Sequence, residues 1–314
     1  MNIKVENIES CFLGLAIGDA LGVPVEFRSR SFLRSNPIKF MTGYGAWNQP
    51  PGTWSDDSSL TFCLAESLLK GYDLNDIGQK FVKWMKEGYW GAHYKVFDIG
   101  GTTRISLDRI YKGEDPRFSG EFEEESNGNG SLMRIMPAAL FFHKLSDDLL
   151  LERIREVSSI THMHFRSVFS CFIYSKFTSH ILAGKDKHDA LVQMIKDVNG
   201  IIERNKFSDN EIILFQNILS GNLESMDEDD IHSSGYVLHT LEASLWCFLK
   251  TNSFSDAVLR AVNLGGDTDT TGCVTGALAG LYYGINDIPS EWINVLARKN
   301  DIIDLAKNFN KVIN

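Results

Sequence analysis

The sequence lacks any cluster of basic residues, and this absence excludes nucleic acid as the main partner. Its 31 lysines and arginines are outnumbered by 41 aspartates and glutamates, which gives a formal net charge of −10. Proteins that bind DNA or RNA gain much of their affinity by neutralising phosphates with lysine and arginine. An anionic ligand would therefore need local hydrogen-bond donors rather than a basic surface.

The sequence also lacks the features of a secreted or membrane-spanning chain. The N-terminus MNIKVENIESCFLG has no basic segment followed by an apolar one, so no secretory signal is predicted. The longest uncharged apolar run, 273–285, is shorter than the roughly 20 residues that a membrane span needs. We therefore predict a cytoplasmic protein with no membrane partner.

Signatures of disulfide frameworks and structural zinc are missing as well. The five cysteines are an odd number, are widely spaced and include no CxxC pair. Most of them lie in apolar stretches such as TFCLAESLL and SLWCFLK. They are therefore predicted to be reduced core residues in a reducing compartment.

Strand-like alternation is scarce, whereas apolar residues recur at three- and four-residue steps along most of the chain. In ESCFLGLAIGDALGVPVEF this spacing predicts a helix that stops or turns at Pro24. Because helices follow one another through short polar links, the fold class is predicted to be all-α, with 1–314 as a single domain. Further helices are predicted over 57–70, 74–87, 132–145, 148–160, 165–183, 187–204, 209–219, 235–250, 255–264 and 270–283.

Two long loops interrupt the helical pattern. Segment 28–54 carries three prolines and several glycines, and a long loop inside a compact domain is often functional. We expect this loop to gate a pocket. Segment 113–130 contains the acidic run GEFEEES, which is expected to be a solvated surface, and ends in the turn NGNG.

Two clusters of carboxylate and hydroxyl residues stand at predicted helix starts. Their members are Ser55, Asp56, Asp57, Asp267, Asp269 and Thr270. Capping a helix needs one side chain, so two adjacent aspartates after a serine exceed that requirement. Neighbouring aspartates repel each other unless a cation lies between them, and oxygen ligands suit Mg²⁺ or Ca²⁺ better than zinc. The two clusters together predict a binuclear hard-metal site.

Glycines flank the second cluster. Gly265 and Gly266 allow a tight backbone approach just before the acidic residues. Gly272, Gly276 and Gly280 recur every four residues, which predicts close packing of a neighbouring helix. A rigid, buried helix is thus expected to hold the metal ligands.

Acidic residues also occur around the first predicted helix and in the stretch FDIGGTTR. Asp19 lies inside the first helix, where a buried polar contact is enough to explain it, whereas Glu26 follows the helix and is better placed to face a site. Asp98 precedes two glycines at another helix start. It either caps that helix or binds a cationic group of a substrate.

A site for an anion is suggested by the turn in SNGNGSLMRIMPAAL. Its amides and the dipole of the following helix can meet an anion, with Arg134 nearby, although an ordinary turn explains the motif equally well. No Walker lysine accompanies it. In THMHFRS the two histidines do not share a helical face, so a zinc pair is not predicted, but one of them can line a pocket.

These stretches together resemble the ADP-ribosylglycohydrolase family. GLAIGDALGVPVEF, GTWSDDSSL, FDIGGTTR, NGNGSLMRIMPAAL, THMHFRS, SSGYVLHTLEASLWCFL and NLGGDTDTTGCVTGALAG occur in the family's order and approximate spacing, from about residue 9 to 284. The paired SDD and GGDTDT motifs are highly specific. The resemblance implies a compact orthogonal bundle of helices with two Mg²⁺ ions, or sometimes Mn²⁺, that removes ADP-ribose from modified protein side chains.

The resemblance also implies roles for individual residues. The metal ligands would be Ser55, Asp56, Asp57, Asp267, Asp269 and Thr270. Glu26 resembles the family's acidic residue that approaches the metals and the ribose, and Asp98 matches the position that receives the guanidinium in the arginine-directed branch. The residues along ADP-ribose would be Asn129, Gly130, Ser131, His162 and Tyr236. The family often has threonine where Ser55 stands, and serine keeps the oxygen.

The implied reaction breaks the N-glycosidic bond of ADP-ribosylarginine through an oxocarbenium-like transition state, with attack by an activated water. The catalytic residues would be Glu26, Asp57, Asp98 and Asp269. Asp57 or Asp269 is expected to activate the water, while Asp98 selects a cation and keeps the departing guanidine protonated. The partners would be an ADP-ribosylated protein and free ADP-ribose as product.

Two alternative functions stay open. A hydrolase directed at ADP-ribosylserine or O-acetyl-ADP-ribose would use the same metals with a different acceptor pocket, although FDIGGTTR favours arginine. A catalytically silent protein that binds ADP-ribose would keep the pocket without turnover. The complete set of acidic residues at the metal site favours an enzyme.

Overall fold

A computed structural model describes residues 3–314 of the chain. Within these residues all regular elements are α-helices and short 3₁₀ turns, and no strand is present. Isolated bridges pair Tyr44 with Gln49, Glu121 with His162 and Gly128 with Tyr236. The all-α prediction is therefore confirmed. The single-domain prediction over 1–314, of which residues 1 and 2 lie outside the described part, stays a prediction.

The helices of the first half are α1 (Val5–Gly22), α2 (Arg30–Ser35), α3 (Asp56–Leu68), α4 (Leu74–Glu87), α5 (Gly101–Tyr111), α6 (Met136–Phe141) and α7 (Asp147–Ser159). Those of the second half are α8 (Phe165–Leu182), α9 (Lys187–Arg204), α10 (Asp209–Ile212), α11 (Gln216–Leu219), α12 (Val237–Leu249), α13 (Phe254–Asn263), α14 (Thr268–Tyr283), α15 (Ser290–Val295) and α16 (Lys299–Ile313). The 3₁₀ turns are Val23–Val25, Pro116–Phe118, Glu124–Ser126, Ile213–Phe215, Leu223–Ser225, Glu228–Asp230 and Ile285–Asp287.

Most predicted helices agree with these bounds, but two predictions were wrong in extent. The range 132–145 contains only α6, because 131–134 form turns that lead into Pro137 at the helix start. The range 209–219 is divided into α10 and α11 by a 3₁₀ turn. Helices α5, α15 and α16 lie outside the predicted ranges. Segment 28–54 is not wholly irregular, because the Ser29 hydroxyl caps α2 within it.

Helices α1 and α14 form the centre of the core and run antiparallel to each other. A side chain on Gly14 would meet the Gly276 carbonyl oxygen at 2.5 Å, and one on Gly18 would meet the Gly272 carbonyl oxygen at 2.0 Å. On α14, Gly280 likewise faces the backbone of α1 at Ser10. The predicted close packing along the α14 glycines is therefore confirmed, and glycines on α1 match it from the other side.

Helix α1 is also the most apolar long segment of the described chain. Val5–Val25 has a mean hydropathy of 1.5 over its most apolar window and could cross a membrane by length and composition alone. However, 94% of that window is buried inside the protein, against α14, α16 and α13. Core helices of water-soluble proteins meet the same criterion, so this segment is weak evidence for a membrane span.

Candidate active site and metal centre

The start of α3 is held by Asp19 of α1. The fully buried Asp19 carboxylate accepts hydrogen bonds from the Ser55 amide at 2.8 Å, the Ser58 amide at 3.1 Å and the Ser58 hydroxyl at 2.6 Å. The Ser55 hydroxyl accepts one from the Asp57 amide at 3.3 Å. Asp19 is thus the buried polar contact that the sequence predicts. Because Asp19 and Ser55 cap the helix, the carboxylates of Asp56 and Asp57 are not needed for capping.

The start of α14 is shaped by the two glycines before it. Gly265 and Gly266 have φ angles of 77° and 72°, and a side chain on Gly266 would meet the Ser233 carbonyl oxygen at 2.3 Å. The Gly266 carbonyl accepts a hydrogen bond from the Phe27 amide at 2.8 Å. This pairing fixes the segment that carries Glu26 beside the start of α14.

These two helix starts and the segment after α1 bring most of the predicted site residues to one cavity of about 260 Å³. The predicted residues that line it are Glu26, Asp56, Asp57, Asp98, Asn129, Gly130, His162, Asp267 and Thr270. Ser55, Ser131, Tyr236 and Asp269 do not line it, although the carboxylate of Asp269 lies within 4.8 Å of those of Glu26 and Asp267. Lining residues that the sequence analysis did not single out include Phe27, Thr103 and Met133.

The carboxylates in this cavity have no basic partner. None of the ion pairs within residues 3–314 includes Asp56, Asp57, Asp98 or Asp269. Burial, and after it the neighbouring carboxylates, raises the pKa of Asp56, Asp57 and Asp269 well above the ordinary value. Such a concentration of buried negative charge requires either bound protons or a bound cation.

The donor atoms fit a hard divalent cation. Oδ2 of Asp57 and Oδ1 of Asp267 are buried and accept no hydrogen bond. The Thr270 hydroxyl lies 3.3 Å from Oδ1 of Asp57, which brings a neutral oxygen from α14 to the carboxylate of α3. Cys273 also lies near Asp57, but burial raises the pKa of its thiol well above 9.0, and the thiol donates to the Met133 carbonyl at 3.7 Å. Oxygen atoms therefore dominate, as Mg²⁺ prefers.

Glu26 is held by a residue that the sequence analysis missed. Its carboxylate is buried and accepts a hydrogen bond from the indole N–H of Trp47. The Trp47 ring lies between Phe97, at 5.6 Å between centroids, and Phe27, at 6.4 Å. Burial and the nearby Asp98 raise the pKa of Glu26 to about 8. Segment 28–54 therefore reaches the site through Trp47; the predicted gating by this segment stays a prediction.

The NGNG turn lines the cavity, and two amides at its end have no acceptor within the described chain. The Asn129 amide donates to the Gly235 carbonyl at 3.0 Å, but the amides of Gly130 and Ser131 donate to no acceptor within the described chain. The Asn129 side-chain amide donates to Oδ2 of Asp267 at 2.9 Å, which links this turn to the acidic residues at the start of α14. The Ser131 hydroxyl points elsewhere, because it lies 2.9 Å from the Ser158 hydroxyl, which itself donates to the His162 carbonyl at 2.8 Å. Ser131 can therefore contribute its amide but not its side chain.

The two histidines of THMHFRS have different positions. His162 is buried and lines the cavity, with its Nδ1 2.8 Å from the Thr161 hydroxyl. Burial, and after it the nearby Arg134, lowers the pKa of His162 to about 3, so the ring is neutral. His164 instead caps α8 by accepting from the Arg166 amide at 3.2 Å. Tyr236 pairs its backbone with Gly128 and packs its ring against His239.

Asp98 lines the same cavity, just before the glycines that begin α5. Its carboxylate is half-buried, and burial followed by the charge of Asp267 raises its pKa to about 6. At neutral pH this carboxylate is therefore mostly ionised and has no basic partner within residues 3–314. It is suited to receive a cationic group from a ligand.

The chain matches known proteins over its full length. The model of the family described as ADP-ribosylglycohydrolase matches residues 2–314. The chain is 32% identical to "ADP-ribosylarginine hydrolase Tri1" of Serratia proteamaculans (strain 568), over 97% of this chain and 79% of that relative. It is also 32% identical to "ADP-ribosyl-[dinitrogen reductase] glycohydrolase" of Rhodospirillum rubrum, over 92% and 89%. A solved structure titled "ADP-ribosylglycohydrolase-related protein complex" superposes with a TM-score of 0.81 at 30% identity and 99% coverage of both chains. The chain belongs to the ADP-ribosylglycohydrolase family.

Proposed function

We propose that this protein is a Mg²⁺-dependent hydrolase that removes ADP-ribose from ADP-ribosylated arginine side chains. The observation that carries this proposal is the cavity in which Asp56, Asp57, Asp267 and Glu26 meet without a basic partner, opposite the ionised Asp98. Two relatives at 32% identity are named ADP-ribosylarginine hydrolases, which supports the arginine linkage.

Two divalent cations would be held by oxygen atoms from α3 and α14. The residues proposed to hold them are Ser55, Asp56, Asp57, Asp267, Asp269 and Thr270. Two of these residues already present buried carboxylate oxygens without hydrogen bonds. When bound, such cations polarise ribose hydroxyls and lower the pKa of a coordinated water. Mg²⁺ is the expected ion, and Mn²⁺ has similar preferences for oxygen ligands.

The remaining residues of the cavity bind and orient the substrate. The free amides of Gly130 and Ser131 are placed to hold the diphosphate, since backbone N–H groups at such a turn bind anions well. Glu26, held by Trp47, would orient a ribose hydroxyl. The proton of the attacking water would pass to Asp57 or Asp269 as the glycosidic bond breaks.

Asp98 would provide the specificity for arginine. The guanidinium of ADP-ribosylarginine is a planar cation that pairs well with a carboxylate. An ionised Asp98 would bind this group and keep it protonated, so that the C–N bond breaks with release of a neutral guanidine rather than a guanidine anion, which is a poor leaving group. A serine-linked substrate offers no cation for Asp98.

The test is the release of free ADP-ribose from two peptides, one modified on arginine and one on serine. Each is incubated with Mg²⁺ or with EDTA. Mg²⁺-dependent release from the arginine peptide alone is the expected result. Release from the serine peptide alone would move the protein to another branch of the family, and tight ADP-ribose binding without release would identify a non-catalytic protein.

The role of Asp98 is tested by Asp98→Asn. This variant is expected to lose at least about 10-fold in kcat/KM on the arginine peptide, because the amide cannot pair with the guanidinium charge. The matched control is Asp108→Asn, which changes an aspartate on the outer face of α5 that pairs only with Lys86. Equal activities of the two variants would refute the assignment.

A further inference from the structure

Arg134 is a buried cation that lies directly behind the cavity. It is fully buried, its guanidinium stacks on the Phe81 ring at 4.6 Å, and no carboxylate pairs with it within the described chain. Nη2 donates to the Thr161 hydroxyl at 2.7 Å, and Nη1 donates to the Val157 carbonyl at 3.4 Å. A guanidinium has only donors, so the Thr161 oxygen must be the acceptor in the first of these contacts.

Because the Thr161 oxygen accepts from Arg134, the remaining question is where the hydrogen of this hydroxyl points. Thr161 is fully buried, and within residues 3–314 its hydroxyl has one other partner, Nδ1 of His162 at 2.8 Å. The hydroxyl hydrogen must therefore point at Nδ1, which accepts it with its lone pair. If Nδ1 carried a hydrogen instead, Arg134 and His162 would both donate to Thr161, and the buried hydroxyl hydrogen would have no acceptor.

We propose that Arg134 and Thr161 are positioning residues that fix His162 as the tautomer with its hydrogen on Nε2. His162 then presents a fixed hydrogen-bond donor to an oxygen of the ligand in the cavity. The assignment of that ligand as ADP-ribose rests on the proposed function, whereas the tautomer itself follows from the contacts of Arg134 and Thr161.

The position of Nε2 agrees with this role. Nε2 makes no hydrogen bond within the described residues, and the ring lines the cavity beside the NGNG turn. A side chain on Gly130 would approach Nε2 to 3.2 Å and Cε1 to 2.7 Å, and one on Gly128 would approach Nε2 to 3.6 Å. The glycines of this turn thus leave room for the ring. His162 and Gly130, whose amide donates to no acceptor within the described chain, line the same cavity, which suits a phosphate or hydroxyl oxygen.

The surroundings of the ring also keep His162 neutral. Burial and the positive charge of Arg134 both oppose a second proton on the ring. His162 therefore acts as a hydrogen-bond donor over the whole working pH range and takes no part in proton transfer. A histidine without this arrangement would titrate near pH 6.5 and would offer either a donor or an acceptor to the ligand.

The experiment is a two-bond ¹⁵N–¹H correlation spectrum of the ¹⁵N-histidine-labelled full chain at pH 7.5. The chain has eight histidines, and the His162→Gln variant identifies the signal of His162 by its disappearance. We expect a protonated Nε2 and an unprotonated Nδ1 in the unmodified protein and in Thr161→Ser, which keeps the hydroxyl. Thr161→Val, which removes it, is expected to populate both tautomers.

Binding of ADP-ribose, measured by calorimetry, tests the consequence for the ligand. Thr161→Val and His162→Leu are each expected to weaken binding about 10-fold, as the loss of one hydrogen bond predicts, while Thr161→Ser and His162→Gln retain most of the affinity. The matched control is Thr178→Val, which removes another buried threonine hydroxyl that donates to the Tyr174 carbonyl. This control is expected to keep full affinity.

The outcomes separate this proposal from the proposed function. A proton on Nδ1 in the unmodified protein, or the same single tautomer in Thr161→Val, would overturn the roles of Arg134 and Thr161. Because the first result needs no variant, it does not depend on whether a variant folds. A proton on Nε2 in a protein that does not bind ADP-ribose would support the tautomer and contradict the proposed function.

Discussion

At the scale of single residues, only one of the two carboxylate oxygens of Asp267 accepts a hydrogen bond. Asn129 donates to Oδ2 at 2.9 Å, whereas Oδ1 is buried and accepts no hydrogen bond. We expect Asp267→Ala to abolish both Mg²⁺ binding and ADP-ribose release, because the proposed cation would lose a carboxylate ligand from α14. Calorimetric titration with Mg²⁺ and the peptide assay measure the two effects.

The fold of Asp267→Ala is expected to remain intact. The variant removes a negative charge from a cluster without basic partners, so the melting temperature of the metal-free protein should stay the same or rise. The matched control is Asp256→Ala, at the start of α13, where the amide of Asp256 is bound by Ser253 and its carboxylate lies far from the cluster. Normal turnover by Asp267→Ala would refute its assignment as a ligand.

For Trp47, one substitution separates its hydrogen bond to Glu26 from the packing of its ring. Trp47→Phe keeps an aromatic ring between Phe27 and Phe97 but removes the indole N–H that donates to Glu26. That hydrogen bond lowers the pKa of Glu26, so its loss raises this pKa. We expect kcat to fall about 10-fold, as for a lost hydrogen bond to a charged group, and the acidic limb of the pH–rate profile to move to higher pH.

The control for Trp47→Phe is Trp246→Phe. Trp246 donates its indole N–H to the Met226 carbonyl at 3.1 Å, away from the cavity. Both variants lose one indole hydrogen bond, so both are expected to lose some stability. A shifted pH–rate profile in the Trp246 variant, or an unshifted one in the Trp47 variant, would show that the contact with Glu26 has no specific effect.

The residues of the site were predictable to different degrees. Asp56, Asp57 and Asp267 could be recognised because two acidic residues at a helix start exceed what capping needs, and the cavity brings the two clusters together. Trp47 and Asp19 could not be assigned their contacts from the sequence. The contact of Trp47 with Glu26 and that of Asp19 with Ser55 join separate elements and depend on the path of the chain between them.

At the scale of elements, the contact between α1 and α14 sets the geometry of the site. Gly22, at the end of α1, approaches the backbone of Asp269 so closely that a side chain would lie 2.3 Å from the Asp269 Cα atom. The spacing of the two helices therefore determines the distance from Glu26, which follows α1, to Asp269 at the start of α14. Helix packing and the geometry of the acidic residues in the cavity are coupled through these glycines.

Gly18→Ala is expected to disrupt this contact. Its new methyl group would lie 2.0 Å from the Gly272 carbonyl oxygen, and neither backbone can move without separating the helices. We expect a loss of about 3 kcal/mol or more in the free energy of unfolding, which exceeds the gain from a better helix former. Chemical denaturation measures the change, and the peptide assay should show a parallel loss of activity.

Gly200→Ala is the matched control for this substitution. Gly200 lies in the interior of α9, and the nearest atom to its added methyl group would be the end of the flexible Arg204 side chain at 3.3 Å. This variant is expected to gain up to about 1 kcal/mol, because alanine is the better helix former. Equal stability changes in the two variants would contradict the role of the α1–α14 contact.

Helices with a regularly repeating apolar face were easier to predict from the sequence than the turns that border the cavity. Helices α4 and α9 have the predicted ranges, because their apolar faces repeat regularly and Asp73 and Asp186 cap them. The turn at 131–134 replaces the first part of a predicted helix, and it follows directly on Gly130, whose amide has no acceptor within the described chain and which lines the cavity. Apolar periodicity cannot distinguish such a turn from the helix that follows it.

At the scale of the whole molecule, the acidic cavity links the stability of the protein to pH and to metal. In the metal-free protein burial raises the pKa of Asp19 to about 7 and, together with Asp98, that of Glu26 to about 8. In the unfolded chain both groups lose their protons near pH 4. The folded state therefore binds more protons than the unfolded state between these values, and its stability must fall as the pH rises.

We therefore expect the EDTA-treated protein to lose about 2 kcal/mol of stability between pH 6.5 and pH 8. The window begins at the ordinary pKa of histidine, about 6.5, so histidines whose pKa is lowered by burial, such as His162, oppose part of this loss, whereas the ordinary pKa of cysteine lies above the window. If Mg²⁺ binds the ionised carboxylates as proposed, it should raise the melting temperature more at pH 8 than at pH 6.5. Thermal melts at the two pH values, with and without Mg²⁺, measure both effects.

Glu26→Gln tests whether the cavity causes this pH dependence. The amide does not titrate, so the metal-free variant should lose much less stability than the unmodified protein between pH 6.5 and pH 8. Glu66→Gln is the control, because Glu66 is paired with Lys80 outside the cavity. If the metal-free protein is equally stable at both pH values, or more stable at pH 8, then the buried carboxylates do not hold protons and a cation is not needed to stabilise their ionised form.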